Sequence, residues 1–383
     1  MDSFSILRHD TIDRYHGQSY IIMQQTLKTT LRFGWTTGTC ATASVYAAYT
    51  AMVTGTFPET VTIDTPSGKA ATLDITYTAA DGISFSAGVI KDAGDDPDVT
   101  HGAEIRATVT KADNGAGVIF HGGEGVGVVT RPGLPIAVGE PAINPVPRKM
   151  MCDIINSLAE NTGGPSDIEI TIAVPNGRAL AEKTWNPRLG IVDGISILGT
   201  TGVVRPFSCS AWIASIHRGI DVAGANALDH IAGSTGATSE KTVQQKYQLP
   251  TIALIDMGDF VGGMLKYLRR HPVKRLTVAG GFGKMIKLAQ GATDLHSARS
   301  QIDFDKLAIL ANQLGITTDG IATANSALDV ATMLGADDRV TLATSIARSA
   351  MATCRDMIGK TPTTLGVMIV DREGKILSEV DEL

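Results

Sequence analysis

Residues 31–41 form the stretch whose residue types best suit binding chemistry. They read Leu-Arg-Phe-Gly-Trp-Thr-Thr-Gly-Thr-Cys-Ala, and the chain then stays uncharged up to Pro58. Apolar residues follow at helical spacing, at positions 41, 45, 48 and 52, so a helix is predicted to begin at the threonines. The free N–H groups and the positive end of a helix start favour anions. A Thr-Thr-Gly triplet recurs at residues 200–202.

Three glycine turns, at residues 199–202, 233–236 and 280–283, each follow a short apolar run and precede a helix-like segment. The carboxyl ends of parallel strands meet at one sheet edge, where ligands bind. None of the turns matches Gly-x-Gly-x-x-Gly or Gly-x-x-x-x-Gly-Lys-Ser/Thr, so neither a dinucleotide nor a triphosphate is specifically indicated. Each turn alone is typical of an ordinary connection, but three along one predicted edge favour a ligand site.

Three other stretches carry chemical groups, each with an ordinary structural alternative. Residues 91–98 hold four carboxylates. A calcium loop is disfavoured because the ligand spacing of an EF-hand is absent. A solvated acidic turn is the default interpretation, and a general base or a hydrogen-bond acceptor for the substrate is the functional one. Residues 121–127 hold four glycines, typical of a flexible hairpin or of backbone lying flat against a planar ligand. His296 is a lone histidine, and such residues are more often structural. No Ser/His/Asp or Cys/His set can be assembled.

The composition of the 383 residues is that of a globular protein, with 43% hydrophobic and 19% charged residues. The net charge of −6 argues against nucleic acid or an anionic membrane as the main partner. The uncharged run before Pro58 contains threonines and glycines but no leucine or isoleucine, which argues against a membrane span. Four separated cysteines and the lack of a signal-peptide pattern favour a cytoplasmic location.

Length and pattern predict two domains after an N-terminal tail. Residues 1–24 lack periodicity and form the tail, with Met23 as a candidate translation start. Residues 25–190 show short alternating strands with turns, which predicts an α+β domain. Residues 191–383 repeat strand, turn and helix four times at roughly 25–30 residues per unit, beginning with residues 194–198. This repetition predicts an α/β domain with a mainly parallel, doubly wound (Rossmann-like) sheet.

Several long motifs occur together and in order. They are residues 31–41, 91–100, 122–133 (Gly-Gly-Glu-Gly-Val-Gly-Val-Val-Thr-Arg-Pro-Gly), 140–148 (Glu-Pro-Ala-Ile-Asn-Pro-Val-Pro-Arg), 186–203 and 281–291. In these motifs, and over essentially everything after residue 25, the chain resembles the cobalt-precorrin-5B C(1)-methyltransferases, the CbiD family. Asp294-Leu295-His296-Ser297 departs from the usual Thr-His-Ser of the family, and the first two dozen residues have no counterpart.

The resemblance implies transfer of a methyl group from S-adenosylmethionine to ring carbon 1 of cobalt-precorrin-5B, giving cobalt-precorrin-6A in anaerobic cobalamin (vitamin B12) biosynthesis. Cobalt then arrives inside the tetrapyrrole substrate, and no protein metal site is expected. Methyl transfer from a sulfonium to an enamine-like carbon depends mainly on alignment, which suits the sparse catalytic inventory. The substrate carboxylates suit helix starts and cationic side chains. A homo-oligomer is left open.

The candidate site residues are assigned on this basis. The methyl donor is expected at the glycine turns of the second domain, at Gly199, Thr200, Thr201, Gly202, Gly233, Gly236, Gly280, Gly281 and Gly283. The tetrapyrrole is expected to contact Arg32, Thr36, Thr37, Gly38, Thr39, Arg131, Arg148 and Lys284. Candidates to accept a proton or to orient the substrate are Asp92, Asp95, Glu124 and His296.

Two other functions fit parts of the pattern. A nicotinamide-dependent reductase of a tetrapyrrole pathway would use the same α/β half. The absence of Gly-x-Gly-x-x-Gly, and of a ribose-binding acid about 20 residues further on, counts against it. A non-catalytic tetrapyrrole carrier is disfavoured, because two domains with a cleft suit catalysis on two ligands.

Overall fold

The computed structural model describes residues 31–316 and 320–382, so the predicted tail at 1–24 and the candidate start at Met23 lie outside the described residues. The helices are α1 Thr37–Thr54, α2 Pro145–Thr162, α3 Gly177–Ala181, α4 Cys209–Ala225, α5 Ala237–Tyr247, α6 Val261–Leu268, α7 Phe282–Ala289, α8 Phe304–Gln313, α9 Ala327–Met333 and α10 Ala336–Ile358, with 3₁₀ turns at Asn186–Leu189 and Thr251–Ala253.

The strands are short, and many are joined by tight turns. They are β1 Gly34–Trp35, β2 Thr60–Asp64, β3 Ala70–Asp74, β4 Tyr77–Ala80, β5 Phe85–Ile90, β6 Glu104–Lys111, β7 Val118–Gly122, β8 Val128–Val129, β9 Ile168–Ala173, β10 Ile191–Val192, β11 Val203–Val204, β12 His230–Ser234, β13 Leu254–Asp256, β14 Arg275–Gly281, β15 Thr364–Val370 and β16 Ile376–Asp381.

The first half of the chain is built on a mixed five-stranded sheet in the order β4-β5-β6-β9-β7. Only β7 and β9 run parallel in it. Helix α1 packs on this sheet and on α2, and it is buried on nearly all sides, from Cys40 to Ala51. This burial explains why residues 33–58 include no charged side chain, since an unpaired charge in such a core is costly.

The second half is built on a five-stranded sheet in the order β13-β12-β14-β15-β16. The first four strands run parallel, and β16 returns antiparallel to β15. Helix α5 covers one face through Val243, which packs with Ala232 and Met368. The other face carries the larger core, to which α4, α6, α7 and α10 contribute. The strands are apolar on both faces because both are covered.

The predicted fold class is wrong. The chain combines mixed sheets, and among the described residues there is no doubly wound, Rossmann-like parallel sheet. Residues 194–198, expected as the first parallel strand, lie in the first half instead, where Ile195 bridges to Val126 and Ile197 to Ile143. A short apolar run between turns does not specify which strand it pairs with. The predicted strand-turn-helix repeat therefore included residues 194–198, which do not belong to the second sheet.

No helix among residues 31–316 and 320–382 is both long and apolar enough to cross a membrane. The cysteines in this part of the chain are free, and Cys40 and Cys354 are fully buried. Burial raises the pKa of both thiols to about 12, so they behave as small apolar residues in the core.

His230 predicts how stability depends on pH. Its Nε2 lies 2.8 Å from the Thr277 hydroxyl. Burial, followed by the nearby Arg275, lowers its pKa to about 4. In the unfolded chain His230 is protonated below about pH 6.5, whereas in the folded chain it stays neutral down to about pH 4. The free energy of unfolding therefore falls as the pH drops from about 6.5 to about 4. Between pH 7 and pH 5 we expect a loss of about 1 kcal/mol, since water screens part of the effect.

Urea unfolding at both pH values, for the wild type and for His230→Gln, measures this loss. The variant should be less sensitive to acid, while His121→Gln, at an exposed position, should behave as the wild type. Equal acid sensitivity of the wild type and His230→Gln would contradict the assignment.

Candidate functional site

The two threonine-glycine turns of the sequence meet at the start of helix α1. Thr36 caps the helix by accepting a hydrogen bond from the Thr39 N–H at 3.2 Å, and the Thr39 hydroxyl donates to the Gly202 carbonyl at 2.7 Å. The Gly38 N–H donates to the Leu198 carbonyl at 2.9 Å. The Thr37 hydroxyl accepts from the Leu198 N–H at 2.9 Å. The buried threonine hydroxyls thus hold residues 198–202, and contact of these threonines with substrate stays a prediction.

The glycines of this turn are required by packing. Gly199 has φ +137°, and a Cβ there would lie 2.2 Å from the Thr36 hydroxyl oxygen. Gly202 has φ +77°, and a Cβ there would lie 2.7 Å from that of Thr65. Thr200 and Thr201 are exposed beside them. Residues 199–202 therefore lie with Thr36–Thr39 in the first half, whereas the other two glycine turns lie at the second sheet.

Arg32 and the acidic loop form an ion-paired unit next to this turn. The Arg32 guanidinium contacts both carboxylate oxygens of Asp92, one of them at 3.0 Å, and the backbone N–H of Arg32 donates to the Asp95 carboxylate at 2.6 Å. The Arg32 hydrogen bond holds the pKa of Asp92 below its ordinary value. Asp92 is therefore ionised at neutral pH, where it can accept but not donate a proton.

A buried lysine supports the acidic loop. Lys91 is only 1% exposed, and its ammonium lies 2.7 Å from Asp98. The backbone N–H and the hydroxyl of Thr100 both donate to the same carboxylate, each at 2.7 Å. Burial pushes the pKa of Asp98 up, but Lys91 and these hydrogen bonds outweigh it, and the pKa lies below its ordinary value. The sequence interpretation missed this pair because a lysine next to four acids resembles a solvated surface run.

The glycine run at residues 122–127 packs against the protein's own backbone. A Cβ at Gly125, where φ is +72°, would lie 2.0 Å from the Val174 carbonyl oxygen, and one at Gly194 would lie 2.3 Å from the Gly125 carbonyl oxygen. Glu124 is exposed in the middle of this run, and its own carbonyl accepts a hydrogen bond from the Val174 N–H at 2.7 Å. These close approaches account for the glycines there.

The remaining predicted cations occupy different places. Arg148 is held by the Ile143 carbonyl at 2.9 Å and by Glu140 at 3.1 Å. Arg131 is exposed, and its aliphatic part lies against Gly190. Lys284 belongs to the second sheet, where it donates to the Thr235 carbonyl at 2.9 Å and pairs with Asp259 at 3.0 Å.

Two glycine turns lie side by side at the carboxyl ends of β12 and β14, which are adjacent parallel strands. Gly236 and Gly281 cap helices α5 and α7, and neither helix start has a side-chain cap. Both have φ values that any residue adopts, and a Cβ at either would meet nothing within 4 Å. Neither backbone nor packing therefore requires glycine at these two positions, unlike Gly233 and Gly280.

Gly233 and Gly280 pack on methionine side chains. A Cβ at Gly233 would lie 2.4 Å from the Met264 sulfur, and one at Gly280 would lie 2.6 Å from the Met285 sulfur. A Cβ at Gly283, in the first turn of α7, would lie 3.1 Å from that of Ala327. The inner glycines thus fit the core, and the open surface at this edge is at Gly236 and Gly281.

The same edge holds charged residues that the sequence interpretation missed. Asp256 ends β13, 20 positions after Gly236. An acid thus follows this glycine turn at the spacing whose absence counted against a reductase, while Gly-x-Gly-x-x-Gly is still absent. Arg188, from the first half, binds both oxygens of Glu240 in α5 at 2.6 and 2.8 Å. The order strand, glycine turn, strand, acid was the signal that could have found Asp256.

His296 lies in a loop that follows α7. Its ring Nδ1 accepts a hydrogen bond from the Ala298 N–H at 3.2 Å, and its backbone N–H donates to the Asp294 carboxylate at 3.1 Å. Arg299 pairs with Asp294 and contacts the Cys209 sulfur at 3.1 Å. Among the described residues, no hydrogen bond or ion pair joins His296 to Asp92 or Glu124. Within the residues that the structure describes, no group of three His, Cys, Asp or Glu side chains is arranged to hold a metal ion.

Comparison with known families agrees with the motifs. The family model described as CbiD matches residues 24–206, and the one described as CbiD, C-terminal domain, matches residues 294–381. A cobalt-precorrin-5B C(1)-methyltransferase of Brucella anthropi is 55% identical over 360 residues, covering 92% of this chain and 96% of the relative. The chain belongs to the CbiD family.

Other members of the family are similar over most of their length. A cobalt-precorrin-5B C(1)-methyltransferase of a Bradyrhizobium species is 54% identical, covering 91% of this chain and 93% of the relative. Among solved structures, the cobalamin biosynthesis protein (cbiD) from Archaeoglobus fulgidus is 27% identical, with a TM-score of 0.39, covering 70% of this chain and 83% of that one.

The buried ion pair under the acidic loop gives a testable prediction. Asp98→Asn leaves the Lys91 ammonium buried without its counter-charge, so the free energy of unfolding should fall by about 2–4 kcal/mol. Chemical denaturation measures this change. Asp153→Asn, which breaks an exposed pair with Lys149, is the matched control and should leave stability unchanged within error. Equal stability of both variants would show that Lys91 does not depend on Asp98.

Proposed function

We propose that this protein methylates ring carbon 1 of cobalt-precorrin-5B, giving cobalt-precorrin-6A in anaerobic cobalamin biosynthesis. The observation that carries the proposal is the 53–55% identity, over about 92% of the chain, to proteins named cobalt-precorrin-5B C(1)-methyltransferase. The protein is thus a methyltransferase of a tetrapyrrole, and family membership disfavours the nicotinamide-dependent reductase. A cytoplasmic location and a homo-oligomer stay predictions from the sequence.

S-adenosylmethionine is the proposed methyl donor. Its sulfonium needs no activation by metal or acid; the protein must bring the methyl group and the acceptor carbon into line and exclude water. The described side chains suit this task, because ion pairs such as Arg32 with Asp92 and Lys284 with Asp259 hold charged residues in place at both candidate regions. Cobalt is part of the substrate in this proposal and requires no ligands from the chain.

The donor site is proposed at the carboxyl edge of the second sheet, at Gly233, Gly236, Gly280, Gly281 and Gly283. Two uncapped helix starts present free N–H groups there, and these suit the carboxylate of the donor's methionine part. Gly236 and Gly281 leave space that a side chain would fill. The sequence prediction also placed residues 199–202 at the donor; because they pack on the start of α1, we propose instead that they line the wall facing the tetrapyrrole.

The tetrapyrrole is proposed to lie against the first half. Arg32 is 57% exposed even when paired with Asp92, and Arg131 is exposed, so both can meet substrate carboxylates. Arg148 is the third cation proposed for that face. Lys284, also predicted as a substrate contact, lies at the donor edge instead, where it pairs with Asp259. Asp92, Asp95, Glu124 and His296 remain candidates to orient the substrate or accept a proton.

The two-domain organisation, residues 25–190 and 191–383, stays a proposal. Contacts tie the halves together: Arg188 with Glu240, and the Phe207 N–H with the Asp96 carboxylate at 2.8 Å. Residues 191–204 pack with the first half through Ile195 and Val203.

The reaction is tested directly by a single-turnover assay with cobalt-precorrin-5B and S-adenosylmethionine carrying a labelled methyl group. We expect the label at ring carbon 1 of the product, and S-adenosylhomocysteine in equal amount. Calorimetry with NADPH is the control, and no binding is expected. Binding of NADPH without methyl transfer would favour the reductase.

The donor site is tested by filling its open space. Gly281→Leu should weaken the binding of S-adenosylhomocysteine by at least about tenfold, since one or two contacts to the ligand are lost. Gly335→Leu is the matched control, because Gly335 also caps a helix with an ordinary φ and has nothing within 4 Å of its Cβ position. Calorimetry measures both, and equal affinities would place the donor elsewhere.

A further inference from the structure

The Asp256 carboxylate lies where burial and a neighbouring acid disfavour its charged form. It ends β13, at the strand edge next to the glycine turn of β12. Burial, followed by the nearby Glu240, raises its pKa above the ordinary value. The protein therefore holds two carboxylates close together in a partly desolvated place, an arrangement found more often at functional sites than elsewhere.

The nearby cations, Arg188 and Lys284, lower the pKa of Asp256 less than burial and Glu240 raise it, and each is paired with another carboxylate. Both terminal nitrogens of Arg188 donate hydrogen bonds to the two carboxylate oxygens of Glu240. Across the described ranges 31–316 and 320–382, Asp256 forms no ion pair. The Arg188–Glu240 pair instead fixes the start of α5 against the first half, and the Asp256 carboxylate keeps acceptor capacity for a ligand.

A second polar group points to the same place. Ser234 is fully buried, and its hydroxyl has no hydrogen-bond partner among the described residues. Ser234 and Asp256 are paired in register on parallel strands, so their side chains leave the sheet on the same face. A buried hydroxyl without a partner on the chain is free to bond a ligand or an ordered water, and Ser234 is the one such group that shares a strand edge with Asp256 among the described residues.

We propose that Asp256 binds the ribose of the methyl donor by accepting hydrogen bonds from its two neighbouring hydroxyls. The inference rests on the proposed function, because it takes the donor to be an adenosyl compound bound at this edge. A carboxylate has two oxygens and accepts both O–H groups of a cis-diol at once. The Ser234 hydroxyl lies behind it as a further partner for the ribose or for a bridging water.

This placement orients the rest of the donor. The helix starts at Gly236 and Gly281 follow β12 and β14, and Asp256 ends β13 on the other side of β12. In this proposal the ribose lies at β13 and the methionine part extends across β12 toward the two helix starts. Trp212 lies beyond Asp256, with its ring N–H donating to the Asp256 carbonyl at 3.1 Å and its side chain 43% exposed. A partly exposed indole next to Asp256 offers a stacking surface for the adenine of the donor.

The test compares two ligands and two proteins by calorimetry. The ligands are S-adenosylhomocysteine and its 2′,3′-dideoxy analogue, and the proteins are the wild type and Asp256→Asn. We expect the wild type to bind S-adenosylhomocysteine about 10- to 100-fold more tightly than the analogue, since bonds to a charged acceptor are lost. Asp256→Asn should lose a similar factor for S-adenosylhomocysteine and bind the analogue as the wild type does.

Asp229→Asn is the matched control, because Asp229 is an exposed acid near the opposite end of β12, paired with Lys274. It should bind both ligands as the wild type does. If the wild type binds both ligands equally, the role of Asp256 is overturned while the donor proposal stands; this comparison needs no variant to fold. If the wild type binds neither ligand, the donor proposal itself fails, and the inference about Asp256 fails with it.

Discussion

The docking of residues 198–202 on the start of helix α1 is the contact on which the first half depends. It joins positions about 160 residues apart through buried threonine hydroxyls, and it is possible only because Gly199 and Gly202 have no side chains. The same approach pairs β1 with β11. The backbone of Ala93 then lies against Gly34, so the loop that carries Asp92 and Asp95 is fixed beside Arg32. One tight backbone contact thus sets the position of the charged face.

The second half uses glycine in a different way. At the ends of β12 and β14 the inner glycines fit against methionines, whereas the outer ones, Gly236 and Gly281, face open space. Two helices that begin there without side-chain caps leave donors unused by the protein. Within the described part of the chain, Asp256 has no ion pair and the Ser234 hydroxyl has no hydrogen bond. This edge therefore retains polar groups that the fold does not satisfy, as binding sites commonly do.

Charged residues couple the two halves. Arg188 reaches from the first half to Glu240 at the start of α5 with a two-bond contact, and the pair is partly buried. Such pairs contribute little to net stability once desolvation is counted, but they fix geometry, since breaking one leaves a buried charge. For a reaction that depends on aligning a methyl group with a carbon, fixed geometry between two ligand regions is the property that matters.

The sequence by itself determined the family, the helix start at the threonines of residues 36–39 and the positions of most glycine turns. These features depend on local chemistry or on long ordered motifs. It did not determine which glycine turns share an edge: residues 199–202 look the same locally as residues 233–236, yet they pack on α1. Nor did it reveal that Lys91 is buried or that Asp256 is unpaired, because burial and pairing depend on partners brought together only when the sheets form.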